Sequence, residues 1–157
     1  IQSVSISKIQ LSKEMADEQR PYVLETADGQ TLTASRGFEG KGKATYPNEE
    51  VYEGDFKDGI REGNGTYTYK NGDFYQGEWK YNLKDGIGKL IYKDKGEYYG
   101  EFKAGKRDGE GLYTFINKDI YSGKWRNGKK HGKGTYRFAD TEMKLVGTWN
   151  EGKIIEG

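Results

Sequence analysis

Along most of the chain, ring-bearing or small residues alternate with charged ones, and Gly, Asn and Asp interrupt the alternation at short intervals. In Tyr52-Glu53-Gly54-Asp55-Phe56-Lys57 every second residue is aromatic or Gly and the others are charged. Period two marks a strand with one buried face. Asp58-Gly59 follows as a turn, and Gly65-Thr66-Tyr67-Thr68-Tyr69 alternates again. Lys70-Asn71-Gly72-Asp73 closes the unit, and its Asn-Gly pair predicts a type I′ hairpin turn. Two short strands and two turns account for a unit of 23 residues.

The unit recurs. Tyr52, Tyr75, Tyr98 and Tyr121 step by 23, as do Gly54, Gly77, Gly100 and Gly123. The next ring alternates as Phe56, Trp79, Phe102 and Trp125. The pairs Gly40/Gly42, Gly63/Gly65, Gly86/Gly88, Gly109/Gly111 and Gly132/Gly134 keep the same step, each followed by a ring at Tyr46, Tyr69, Tyr92, Phe115 or Phe138. After one inserted residue the pattern resumes as Leu145, Gly147, Trp149 and Gly152. The first turn repeats Gly at 59, 105, 128 and 152, with Asn82 in the remaining place. Asn is the residue next most tolerant of a left-handed backbone.

A mid-strand Gly costs about 0.5–1 kcal/mol relative to Ala, so Gly54 and its equivalents need a reason. Between Tyr52 and Phe56, a missing side chain lets a neighbouring ring lie flat on the backbone. The Gly-x-Gly pairs similarly admit close packing or a bulge. The expected fold is all-β: an elongated, single-layer, twisted antiparallel meander with one hairpin per repeat. Tyr52, Phe56, Tyr67, Tyr69, Tyr75, Trp79, Leu90 and Tyr92 share one face, while the Glu, Lys and Thr of the other face are expected to be wet. Stability then comes from stacking of neighbouring repeats.

The motif Tyr-x-Gly-x-(Trp/Phe)-x-x-Gly-x-x-x-Gly-x-Gly-x-x-x-(Tyr/Phe), in phase over residues 37–152, resembles the MORN repeat family. The resemblance implies a twisted β-sheet with an aromatic groove. Within that family, Tyr113-Thr-Phe-Ile-Asn-Lys-Asp-Ile-Tyr-Ser-Gly-Lys-Trp125, His131-Gly-Lys-Gly-Thr-Tyr136 and Val146-Gly-Thr-Trp149 are similar to the radial spoke head members of motile cilia. That implies a place in the ciliary axoneme beside other spoke-head proteins.

The array is bounded on its N-terminal side. Residues 37–157 form the repeat array, and residues 21–36 read as an atypical capping hairpin around Asp28-Gly29. Residues 1–20 are not repeat. Val4 and Ile6 alternate like a strand, Ser7-x-x-Gln10 resembles a capping box, and Ile9–Gln19 reads equally as helix or extended arm.

Composition narrows the class of protein. Leu, Ile, Val and Phe make up only 27 of 157 residues, and 13 of the 22 aromatics are Tyr, so a thick aliphatic core is excluded. The charge balance of 26 cations to 25 acids argues against disorder. The absence of Cys removes disulfides, thiolate zinc sites and cysteine nucleophiles, and a single His removes any site that needs two imidazoles. No apolar run approaches a membrane span, and the expected compartment is the cytoplasm, on the cytoskeleton, in a cilium or flagellum. A chain beginning at Ile1 reads as a piece of a longer one.

No catalytic constellation emerges, and neither a cofactor nor a metal is expected. The Gly-x-Gly pairs lack the third Gly and the following helix of a dinucleotide fingerprint. Glu49/Glu50 and Asp108/Glu110 fall in turns or on the wet face, without a desolvating pocket to make them acid and base. His131 lies in a turn between Lys130 and Gly132 and reads as a surface residue.

Charge is unevenly placed. Residues 49–65 carry six acids and two cations, whereas 121–138 carry Lys124, Arg126, Lys129, Lys130, Lys133 and Arg137 and no acid. Two readings stand: solubilising charge, or a basic end that meets an acidic partner or anionic headgroups. Nucleic acid is not expected of a nearly neutral chain. The aromatic stripe also has two readings. It is either the array's own core or an open groove in which Tyr52, Phe56, Tyr75, Trp79, Tyr98, Phe102, Tyr121 and Trp125 receive a partner. The expected function is a non-enzymatic scaffold in a multi-protein complex, its partners being spoke-head or cytoskeletal proteins. The alternatives are a membrane-cytoskeleton adaptor binding acidic phospholipids through 121–138, or the regulatory MORN region of a larger enzyme.

Overall fold

The computed structural model describes residues 21–157, which form thirteen strands and no helix. In chain order these are β1 (Val23–Thr26), β2 (Thr31–Leu32), β3 (Gly40–Thr45), β4 (Val51–Lys57), β5 (Ile60–Thr68), β6 (Phe74–Lys80), β7 (Leu83–Tyr92), β8 (Gly96–Lys103), β9 (Lys106–Phe115), β10 (Ile120–Arg126), β11 (Lys129–Arg137), β12 (Lys144–Asn150) and β13 (Lys153–Glu156). They make one open antiparallel sheet in the order β13 to β3, then β1, then β2. From β3 onward it is the meander that the 23-residue period requires. The arm expected over residues 1–20 lies outside the described residues.

The N-terminal edge departs from a meander. β1 lies between β3 and β2, so residues 33–39 must pass back across the hairpin. They dock on the first repeat: the Ser35 hydroxyl donates to the Gly59 carbonyl at 2.8 Å, the Gly59 amide donates to the Phe38 carbonyl at 2.8 Å, and Phe38 packs edge-on to Phe56. Deeper in the array the equivalent turn amides of Asn82, Gly105, Gly128 and Gly152 donate to the carbonyls of Arg61, Lys84, Arg107 and Lys130. The crossing segment thus supplies the carbonyl that a preceding repeat would supply, and Phe38 stands where later repeats place a cation.

The two turns of each repeat differ. Asp58-Gly59, Tyr81-Asn82, Ala104-Gly105, Asn127-Gly128 and Glu151-Gly152 all have positive φ at both residues, which is type I′ geometry. The Asn71-Gly72 pair, expected to be type I′, is not. Gly72 alone has positive φ (93°), its amide donates to the Tyr69 carbonyl at 3.0 Å, and the Tyr69 amide donates to the Asp73 carbonyl at 2.9 Å. This is a type I turn followed by a glycine bulge, and the Asn71 side chain holds it by accepting from the Asp73 amide.

A glycine lane crosses ten strands: Gly42, Gly54, Gly65, Gly77, Gly88, Gly100, Gly111, Gly123, Gly134 and Gly147 are in register. Tyr52, Tyr75, Tyr98 and Tyr121 lie flat upon it and are fully buried. A Cβ on Gly65 would overlap the Tyr52 ring, and one on Gly134 would lie 2.6 Å from the Tyr121 hydroxyl oxygen. Each phenol donates to the carbonyl three residues on, at 2.7–2.9 Å (Asp55, Glu78, Glu101, Lys124). The first Gly of each Gly-x-Gly pair does something else. Gly63, with φ +101°, sits where β5 bulges against β4, between the Gly54–Gly65 and Phe56–Arg61 pairs.

Rings join the repeats. Tyr52, Tyr75, Tyr98 and Tyr121 meet Phe56, Trp79, Phe102, Trp125 and Trp149 edge-to-face in one zigzag, with centroids 5.1–5.3 Å apart. The opposite face, expected to be wet and to carry Glu, Lys and Thr, is exposed but also carries apolar side chains. Ile87, Ile91, Tyr99, Leu112 and Val146 lie there substantially exposed, and Tyr99 retains 57% of its surface.

Candidate interaction face

The eight rings expected to form the floor of a partner groove are no more than 5% exposed. Tyr52, Phe56, Tyr75, Trp79, Tyr98, Phe102, Tyr121 and Trp125 therefore constitute the core, and a partner cannot reach them without opening it. The reachable rings form a second, half-buried row above: Tyr46, Tyr69, Tyr92, Tyr113, Phe115 and Tyr136. Burial raises the Tyr69, Tyr121 and Tyr136 phenols to about 12. The hollow on the sheet's other face, about 880 Å³, is lined by glycine backbone and by Glu25, Lys41, Lys43, Glu53, Thr66 and Gln76, a set of mixed charge.

Four cations stand among the rings, again at a step of 23. Arg61 lies over Tyr46, Tyr67 and Trp79, with its guanidinium carbon 4.9 Å from the Trp79 ring. Arg107 repeats the arrangement two units on, 4.4 Å from Trp125. Lys84 stands over Tyr69, Tyr75 and Phe102, and Lys130 over Phe115, Tyr121 and Tyr136. Such contacts contribute about 0.5–2 kcal/mol each. Burial lowers the pKa of Lys84 and of Lys130, the Arg107 charge adds to the effect at both, and at Lys84 the Asp73 carboxylate opposes it. Sequence reasoning missed this row because an Arg or Lys in an alternating strand reads as solvated charge. The period was the available signal.

The basic end is divided between the faces. Strand alternation puts Lys124, Arg126, Lys129, Lys133 and Arg137 on the face away from the rings, and Lys129 pairs with Glu151 at 3.0 Å. Lys130 is the exception. It is a ring-face residue, opposite Trp125 in the register.

Three carboxylates are joints between repeats, Glu50 and Asp108 among those expected to be solvated. Glu50 accepts from the Tyr67 hydroxyl and the Lys70 amide, and Asp119 from the Tyr136 hydroxyl at 2.7 Å and the Ala139 amide at 2.8 Å. Asp108 accepts from the Asn127 amide. The backbone and Tyr136 bonds hold Asp119 below the usual carboxylate range; at Glu50 the bonds outweigh a desolvation that acts the other way. His131 is half-buried, with Nδ1 shielded from solvent and unpartnered. Among the described residues no group of three or more potential ligands is placed to hold a metal.

A family model described as MORN repeat matches residues 35–51, 52–74, 75–97, 98–120 and 121–143. No curated protein sequence matches the chain. One similar solved structure is the SAS-4 (dCPAP) TCP domain in complex with a proline-rich motif of Ana2 (dSTIL) of Drosophila melanogaster. It is 17% identical, with a TM-score of 0.40, over 80% of this chain and 76% of that one.

Proposed function

This chain belongs to the MORN repeat family, and on that premise we propose that it is a scaffold of the radial spoke head, holding partner proteins against its ring-bearing face. MORN repeats are non-enzymatic units that mediate protein or membrane contacts. The observation that carries the reading is the half-buried row of rings and cations, which leaves polar and aromatic groups accessible along a rigid sheet. Tyr suits such a surface because it offers an apolar body with a polar tip. The assignment to the spoke head, and with it to the axoneme of a cilium or flagellum, rests on the likeness of the stretches 113–125, 131–136 and 146–149. Tagged chain expressed in ciliated cells is expected to sediment with axonemes and to co-purify with spoke-head proteins. Recovery in the membrane fraction alone would refute it.

The placement of Lys124, Arg126, Lys133 and Arg137 on one face favours a second reading, attachment to acidic phospholipid. Sedimentation with phosphatidylserine vesicles, abolished by reversing those four charges, would support it. Binding that survives charge reversal and added salt would remove it.

A further inference from the structure

The four ring-face cations lack anionic partners. Among the described residues, no carboxylate lies within ion-pair distance of Arg61, Lys84, Arg107 or Lys130. Arg61 spends its guanidinium on the Tyr46 hydroxyl and the Asn82 carbonyl, and its Nε is buried without a partner. Lys84 donates to the Tyr69 hydroxyl at 3.1 Å. The ammonium of Lys130, whose equivalent ring is Phe115 rather than Tyr, donates no hydrogen bond to a described residue. Glu50 and Asp73, whose charges act on Arg61 and Lys84 respectively, already accept from the Lys70 and Lys93 amides.

The surroundings of the cations are also regular. One pocket of about 250 Å³ includes Arg61, Tyr67, Trp79 and Lys84; another of about 270 Å³ includes Arg107, Tyr113, Trp125 and Lys130. Each member of the second is the member of the first displaced by two repeats. Successive cations stand on β5, β7, β9 and β11, so their pitch is two strand spacings, about 9.6 Å. An extended chain with three residues per turn advances about 9.3 Å per turn and presents every third side chain on one side. A flat bilayer does not offer discrete anions on such a pitch, set into separate pockets.

We propose that this face binds an acidic peptide segment in extended conformation, with Asp or Glu at every third position seated on the Arg61–Lys84–Arg107–Lys130 row. Intervening small or apolar side chains lie on Tyr69, Tyr92, Tyr113 and Phe115. The inference rests on the scaffold reading and adds to it the chemistry of the partner.

The test uses a fluorescent peptide of four Glu-Pro-Ser triplets, the Pro serving only to hold the probe extended, with anisotropy as the readout. Saturable binding is expected, weakened about tenfold or more by replacing every Glu with Gln and by raising salt to about 0.5 M. Arg61→Gln with Arg107→Gln should match the loss, in protein whose circular dichroism shows the sheet still folded at the assay temperature. The Gln peptide decides the matter if that variant does not fold. Equal affinity for a peptide of the same composition with its four Glu contiguous would overturn the pitch. Tighter binding by a helical peptide with Glu at every seventh position, or binding only to phosphatidylserine vesicles, would overturn the extended acidic segment. Spoke-head proteins captured equally by the double Arg variant would leave the scaffold in place and remove this inference alone.

Discussion

Gly65→Ala puts the packing of the glycine lane to a direct test. In an ordinary strand, Ala in place of Gly stabilises by about 0.5–1 kcal/mol. Here the new Cβ would lie 2.5 Å from Cζ and the hydroxyl oxygen of Tyr52, against an ordinary carbon contact of about 3.5–4.0 Å. Gly54 and the β4 backbone lie alongside, so the ring must lift by about 1 Å to restore that contact. Lifting it strains the edge-to-face contacts with Phe56 and Trp79, an overpacking cost of about 1–3 kcal/mol. It also breaks the 2.7 Å bond from the phenol to the Asp55 carbonyl, and a buried hydroxyl left unpaired costs about 1–3 kcal/mol. After the Ala gain is subtracted, the net destabilisation is about 1–5 kcal/mol. Urea unfolding followed by tryptophan emission and by circular dichroism measures it. In a Tyr52→Leu background the same substitution should cost about 1–2 kcal/mol less, because no ring remains to be displaced. A stabilising or neutral Gly65→Ala, or the same cost in both backgrounds, would refute the account of the lane.

Trp79→Ala should cost about 3–5 kcal/mol in the same assay, whereas Thr66→Lys, on the opposite face, should stay within about 0.5 kcal/mol. Lys130→Gln should lower stability by about 1 kcal/mol through its lost ring contacts, while Lys133→Gln should be silent; equal effects would mean that Lys130 is a solvent residue. The depressed Asp119 carboxyl contributes stability that is present above its unfolded pKa, about 3.9, and is lost as pH falls through the lower folded value. Melting temperatures should therefore fall below about pH 4, with a shallower fall in Asp119→Asn; identical slopes would remove Asp119 as the joint. The buried phenols work at the other end. Their stability is present below the unfolded value of about 10 and declines as pH rises toward the folded values, about 12 for Tyr69 and Tyr121. Ionisation absorbance should rise together with loss of circular dichroism, and phenols titrating freely near pH 10 in folded protein would contradict the burial.

The sheet was legible because its signals are local. Tyr52-x-Gly54-x-Phe56 announces a strand with one ring-bearing face, and Asp58-Gly59 announces a turn whose geometry the structure shares. What escaped depends on which strands lie beside one another. That Gly63 opens a bulge while Gly65 supports a ring follows only from the register with β4. Asn71-Gly72 misled because its Asn side chain and the Tyr69 backbone make a four-residue turn out of a two-residue signal. The passage of residues 33–39 around β1 is a non-local pairing that no alternation encodes. Of the candidate site, the sharing of one face by the rings was legible in the alternation. That neighbouring repeats bury Tyr52 and Trp79 was not, nor that Arg61 and Lys84 stand among the rings, because an alternating strand does not show which side chains meet across repeats.

The central claim is that partners occupy the ring-and-cation face. Photo-crosslinking side chains placed one at a time at Tyr69 and Tyr113 on that face, and at Thr66, Tyr99 and Leu112 on the other, test it in the intact protein within its own cell extract. Covalent capture of partner proteins from Tyr69 and Tyr113, with little from the other three, is the predicted result. Capture from Tyr99 and Leu112 alone would place the partner on the exposed apolar face and contradict the account.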